Sequence, residues 1–199
     1  MALTERKIQA LFRRTATARS RDLVAAGVTR SELSRMVTAG SLVRVARGLY
    51  AAAGYQSTEH AALVMVSKRA PSTLFCLLTA LRYHDLTTQS PSEVWIAIDN
   101  KGHPPRLEYP PVRAVRFSPA ALAAGVETHY VDRTPIRVTS AAKTVADCFK
   151  FRNKIGLDVA LEALREARRA KKASADELWR FAKLDRVANV MRPYLEAVA

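Results

Sequence analysis

Apolar residues recur at helical spacing towards both ends of this chain and alternate with polar ones through its middle, and those changes of period predict its elements. Ile8, Leu11 and Phe12 form the inner stripe of a first helix over Thr4–Arg14, with Thr4 as its cap and Leu3 stapled against Ile8. Thr15–Arg19 reads as a short connection into a second helix, capped by Ser20 and stopped at Gly27. A third helix has the clearest start. Thr29 and Glu32 are spaced as a capping box, Val28 and Leu33 can close over it, and Gly40 supplies the stop. Its inner stripe is Leu33, Met36 and Val37. Leu42–Ala46 and Leu49–Ala51 then read as two strands joined at Arg47-Gly48, a hairpin in the position of a wing.

Gly54–Ser57 is the expected linker. Beyond it, Ser57 caps a helix over His60–Lys68, and Leu74–Tyr83 continues as a second, with Leu74, Leu77, Leu78 and Leu81 on one side. Val94–Ile98 is dense enough in apolar residues for a central strand covered on both faces. Lys101–Pro111 is a loop, and Val112–Phe117 is a strand exposing Arg113. Glu127–Val131 and Ile136–Val138 form a hairpin across Asp132–Pro135. From Ser140 the pattern is helical: Ala141–Phe151, then Leu157–Lys172 burying Leu157, Leu161 and Leu164. A helix boxed by Ser174 and Glu177 follows, then Arg186–Val198, interrupted at Pro193. The expected fold is α+β, an N-terminal winged helix-turn-helix domain over residues 1–55 and a mixed α/β domain over 56–199 ending in helices.

Charge sharpens the picture. The formal net charge is +14. Residues 1–55 hold ten Lys/Arg against three Asp/Glu, 56–140 nine against seven, and 141–199 thirteen against eight. The excess lies at the two ends and favours polyanionic partners. The outer face of the third helix carries Arg30, Ser31, Ser34, Arg35 and Thr38, beside the cap Thr29. Long cations among short hydroxyls suit a major groove, where arginine reaches base edges and small side chains permit close approach. Arg44 and Arg47 of the wing would meet backbone or minor groove, and Arg19 and Arg21 phosphates near the second helix. A second basic cluster, Arg165, Arg168, Arg169, Lys171 and Lys172, ends a helix. It reads either as a solvated face or as a contact for nucleic acid or a protein partner.

Four stretches give a resemblance. The wing Gly40–Tyr50, Leu81-Arg82-Tyr83-His84-Asp85-Leu86-Thr87, Val138–Asp147 and Arg192-Pro193-Tyr194-Leu195 resemble, in order, the AbiEi-type antitoxins of type IV abortive-infection toxin–antitoxin pairs. The resemblance implies a repressor of its own operon that binds inverted repeats in double-stranded DNA through its winged domain. It further implies a C-terminal domain countering a nucleotidyltransferase-like toxin, with no stable complex required.

Other chemistry finds less in the sequence. Asp99-Asn100-Lys101 after an apolar strand matches half of a restriction-type nuclease site, with Asp85 or Glu93 as candidate second acids; it also matches an ordinary turn. His60, His84, His103 and His129 lack metal-ligand spacing, so neither a metal nor a cofactor is expected, and no nucleophile elbow or phosphate loop is present. His84-Asp85 and Thr139-Ser140 with Asp147 read most simply as helix ends with local partners, and Trp179 and Phe181 as core. Cys76 and Cys148 read as small buried hydrophobes in a reducing cytoplasm. No apolar run reaches membrane-spanning length. The expectation is a cytoplasmic, non-enzymatic antitoxin and autorepressor. The rival is a stand-alone repressor whose second domain senses a small molecule.

Overall fold

The computed structural model describes residues 3–55, 60–107 and 109–197. The Thr4 cap and Leu3 staple, the Ser57 cap and the end of the linker lie outside the described residues and side chains. The chain divides into two compact units, one comprising 1–71 with 130–135 and the other 72–129 with 136–199. The expected boundary after residue 55 therefore differs from the division by packing, which adds a further helix and a hairpin tip to the first unit.

In the first unit the order is α1 (Leu3–Arg14), β1 (Thr17–Arg19), α2 (Ser20–Ala25), α3 (Arg30–Thr38), β2 (Leu42–Ala46), β3 (Leu49–Ala52) and α4 (Ala61–Arg69). The strands form one antiparallel sheet ordered β1-β3-β2. Its core joins Ile8 of α1, Leu23 of α2, Val28 and Leu33 around the start of α3, and Leu42 of β2, with Met36, Val37 and Tyr50 packed against them. This is the winged helix-turn-helix arrangement expected from the sequence. β1 corrects the expected connection. Thr17 and Ala18 are buried and pair with Ala51 and Tyr50, but three residues are too few to show a period. The cap of α2 is also Arg19 rather than Ser20: the Arg19 N–H donates to the Asp22 carboxylate at 3.2 Å.

The second unit is built on a sheet ordered β6-β5-β4-β8-β7. Its elements are β4 (Leu74–Phe75), α5 (Leu77–Tyr83), β5 (Val94–Asp99), β6 (Val112–Phe117), α6 (Pro119–Ala123), β7 (Val126–Val131), β8 (Thr134–Thr139), α7 (Ala141–Lys150), α8 (Arg152–Ile155), α9 (Leu157–Arg169), α10 (Ala175–Leu184) and α11 (Ala188–Ala197). β5 runs parallel to β6, antiparallel to β4, and β4 parallel to β8. α7 is the central helix: Ala141 to Phe149 are all buried, and it packs against α5, α9 and α10.

Several expected elements are redrawn. Leu74 and Phe75 are a strand at the middle of the sheet, not a helix start. A fully buried apolar run has no polar side to reveal its period, and Leu77 at φ 47° breaks the chain into α5. The β7–β8 turn is only Asp132-Arg133, both with positive φ, as a two-residue type I′ turn requires. Leu157, expected inside, is 37% exposed at the first position of α9. α11 runs through Pro193. The short helices α6 and α8 fall below any readable period.

Candidate nucleic-acid interface

The positioning of α3 begins at its cap. The Thr29 N–H donates to the Glu32 carboxylate at 2.8 Å, and the Glu32 N–H donates back to the Thr29 hydroxyl at 3.2 Å. At the far end the Gly40 N–H reaches the Val37 carbonyl and the Ser41 N–H the Met36 carbonyl, with Gly40 at φ 71°. These paired bonds close the helix in a left-handed glycine stop. With both ends fixed and Leu33 buried, the opposite face is set outward: Arg30, Ser31, Ser34, Arg35 and Thr38 are exposed. Ser31, Ser34, Arg35 and Thr38 line one shallow depression together with Ala39. The Thr38 hydroxyl is turned back onto the Ser34 carbonyl at 3.1 Å, and the Thr29 and Ser31 hydroxyls meet at 3.1 Å. Among the described residues nothing pairs with the Arg30, Arg35 or Arg44 guanidinium.

The wing is short and anchored. Arg44 pairs with Tyr50 across the ladder, a bulge follows between Arg44 and Ala46, and Gly48 turns the chain at φ 72°. The Gly48 carbonyl accepts from the Ser20 N–H at 2.9 Å, which ties the wing tip to the start of α2. Arg44, Arg47 and Val43 are exposed on this hairpin. The two arginines assigned to phosphates separate. Arg21 keeps 69% of its side chain exposed, whereas Arg19 keeps 16% and lies 3.5 Å from the Asp22 carboxylate. Arg19 is thus drawn into holding the α2 start.

The second basic cluster is mostly engaged. Arg169 pairs with Glu166, Arg168 donates to the Ala173 carbonyl, and Lys172 reaches the His84 carbonyl and, at 3.4 Å, Asp85. Arg165 and Lys171 are exposed. Lys172 gathers the Leu81–Thr87 stretch, for the His84 imidazole N–H donates to the Thr139 carbonyl at 2.7 Å, and Glu162 of α9 accepts from Thr87 and Thr88. Burial first, and then His129 and Lys172, hold the His84 imidazole below its usual pKa; the Thr139 bond and Glu127 act the other way.

Sequence reasoning did not find the buried charge centre. Lys143, expected only as part of a helix, is fully buried with its ammonium on Asp147 and 3.1 Å from Asp185, over the Phe117 ring at 4.8 Å. Lys150 approaches Asp185 at 3.7 Å. Burial pushes the Asp147 carboxyl well above the usual range, against the pull of Lys143. The spacing of Lys143 and Asp147, four apart on one helix face, was the available signal. Cys76 and Cys148 are buried nearby as free thiols, raised by burial.

Asp99-Asn100-Lys101 is a turn. The Lys101 N–H donates to the Asp99 carboxylate at 3.0 Å, and Arg116 caps the carbonyls of Asp99, Asn100 and Gly102. Glu93 pairs with Arg113 at 2.7 Å, and Asp85 faces Lys172. Among the described residues no group of three potential metal-ligating side chains forms, and no helix is long and apolar enough to cross a membrane.

Residues 6–53 match the family model described as transcriptional regulator, AbiEi antitoxin. No curated protein matches the chain. The matched segment begins within α1 and ends just past β3, so it contains the capped α3 and the wing whole. Through that N-terminal segment, about a quarter of its length, the chain is similar to the AbiEi antitoxin-type transcriptional regulators.

Proposed function

We propose that this protein binds double-stranded DNA at inverted repeats of its own promoter through α3 and the wing, represses that operon, and counters a nucleotidyltransferase-like toxin encoded beside it. One observation carries the DNA reading: a doubly capped helix presents Arg30 and Arg35 outward with no partner among the described residues, between exposed serines that leave room for a groove wall. Arg30, Ser31, Ser34 and Arg35 meet base edges, while Arg44, Arg47 and Arg21 meet phosphates. The toxin half rests on the four motif stretches and on the family of the N-terminal segment.

Two measurements test it. Alanine at Arg30 or Arg35 is expected to cost about 1–3 kcal/mol on the operator and less on random DNA. Alanine at Arg44 or Arg47 is expected to weaken both DNAs evenly and to reduce the salt slope. Equal losses on both DNAs at all four positions would sink base reading by α3. For the antitoxin, the neighbouring gene is induced alone and together with the full chain. Restored growth is the expected result, and unrelieved toxicity overturns the assignment.

A second reading has one observation behind it. A cavity of about 670 Å³ in the first unit is lined by Ile8 and Phe12 of α1, Met36 of α3 and Leu42 of β2, directly behind the reading helix. A small molecule that occupies it and shifts operator affinity would favour a ligand-responsive repressor.

A further inference from the structure

The cavity behind α3 has two chemistries in its wall, and the DNA reading uses neither. Its volume of about 670 Å³ lies within the range of small-molecule sites, and every residue lining it belongs to the first unit. The covered part of the wall is apolar. Ile8 and Leu42 are buried there, and Phe12 and Met36 are half-buried beside them.

The exposed part is cationic. Arg13 at the end of α1 and Arg133 of the β7–β8 turn both line the cavity, and both are exposed. Arg133 donates through Nη1 to the Arg13 carbonyl, which sets positive charge over the carbonyl end of α1 and offsets the helix dipole there. Its other N–H groups remain open. Among the described residues neither guanidinium has a carboxylate partner, and no acid lines the cavity. Two guanidiniums at the mouth of an apolar space call for a ligand with an anionic head and an apolar body, and the guanidinium fork matches a carboxylate in geometry. A nucleic-acid backbone lacks the apolar body. A second copy docked symmetrically would bring the same cations to the same rim.

We infer that this cavity binds a small amphipathic carboxylate that acts as a co-repressor. Its apolar body lies against Phe12, Met36 and Leu42, and its carboxylate pairs with Arg13 and Arg133. Met36 belongs to α3 and Leu42 to β2, on either side of the Gly40 stop. A ligand touching both holds the helix and the wing in the relative placement that a single duplex must meet, so ligand and operator each favour binding of the other. The inference rests on the DNA reading of α3 and the wing and deepens it by naming the chemistry of an effector; it does not depend on the toxin.

The full chain is titrated by calorimetry with sodium octanoate and, separately, with octanol, and operator affinity is measured by fluorescence anisotropy with and without octanoate at matched sodium concentration. Octanoate is expected to bind, and octanol to bind about tenfold more weakly. Arg13→Gln together with Arg133→Gln is expected to lower octanoate affinity about tenfold and to leave octanol affinity unchanged. Ala53→Trp places a large ring in the cavity from an exposed position, and is expected to abolish octanoate binding while the thermal midpoint of the free protein stays the same. Saturating octanoate is expected to tighten operator binding about fivefold or more. Absence of octanoate binding overturns the inference, as does binding indifferent to Ala53→Trp. Equal affinity for octanol overturns the carboxylate, and unchanged or weakened operator binding overturns the co-repressor. A chain that self-associates and ignores octanoate assigns the cavity to a second copy, which also overturns it. Octanoate binding in a protein that fails to bind its operator would leave the site standing and remove the DNA reading instead.

Discussion

Lys143 has exchanged water for two carboxylates and an aromatic face inside the second unit. Removing Lys143 leaves two buried carboxyl groups without the ammonium they share. Lys143→Ala is therefore expected to cost about 3–5 kcal/mol in urea unfolding. A different residue-scale feature stores a smaller energy. α9 and α10 end in left-handed stops formed by Lys171 at φ 54° and Arg186 at φ 59°, where α2 and α3 use Gly27 and Gly40. Lys171→Gly and Arg186→Gly are each expected to stabilise by about 1 kcal/mol, read as a rise in denaturation midpoint at unchanged slope. His84 supplies a pH dependence. Its folded pKa lies below the ordinary 6.5, so below that value the unfolded chain binds more protons and stability falls as the pH is lowered towards the folded pKa. Thermal unfolding between pH 7 and 5 is expected to show this fall, smaller in His84→Gln, which keeps a donor for Thr139. None of these sites was fully legible in the sequence. Asp147 could be read as having a local partner, but which charges lie in the core depends on contacts such as Asp185 to Lys143, 42 residues apart.

Among the elements, α3 was read best because its signals are local. The Thr29–Glu32 box, the Val28–Leu33 closure and the Gly40 stop all lie within a few residues of what they control. The Ser174–Glu177 box of α10 was legible for the same reason. Thr29→Ala is expected to cost about 1 kcal/mol of stability and, on the proposed DNA-binding function, to lower operator affinity without changing which base pairs are preferred, because it loosens the helix start while leaving Arg30 and Arg35 in place. Systematic base substitution in the operator would check that. Elements defined by distant partners were lost. β1 exists because β3 lies beside it, and β4 is a strand because β5 and β8 flank it. The partial covering of Arg19 was not legible either: its residue type suggested a fully exposed cation, and the structure sets it against Asp22 with 16% of its side chain exposed. Exposure cannot be read from residue type alone.

At the scale of the molecule, the charge excess at both ends was legible by counting, and so was the order of a winged domain before a mixed domain. The place where the chain divides was not. Composition suggested one passage from domain to domain near Gly54, but the structure has three, because Tyr130–Pro135 leaves the second unit and packs as part of the first. There the Asp132 carbonyl accepts from the Ala16 N–H at 3.5 Å, the Asp132 carboxylate accepts from the Tyr55 hydroxyl at 3.1 Å, and Arg133 donates to the Arg13 carbonyl. Burial and Asp132 together push the Tyr55 phenol up to about 12, so it stays a donor across the physiological range.

That hairpin tip gives residues on either side of Gly54 a second, non-covalent connection within the first unit. With a protease site inserted after Gly54 and cut in the folded protein, the two fragments are expected to co-elute on a sizing column and to separate only in denaturant. A nick there is expected to sever a covalent bond without producing two proteins.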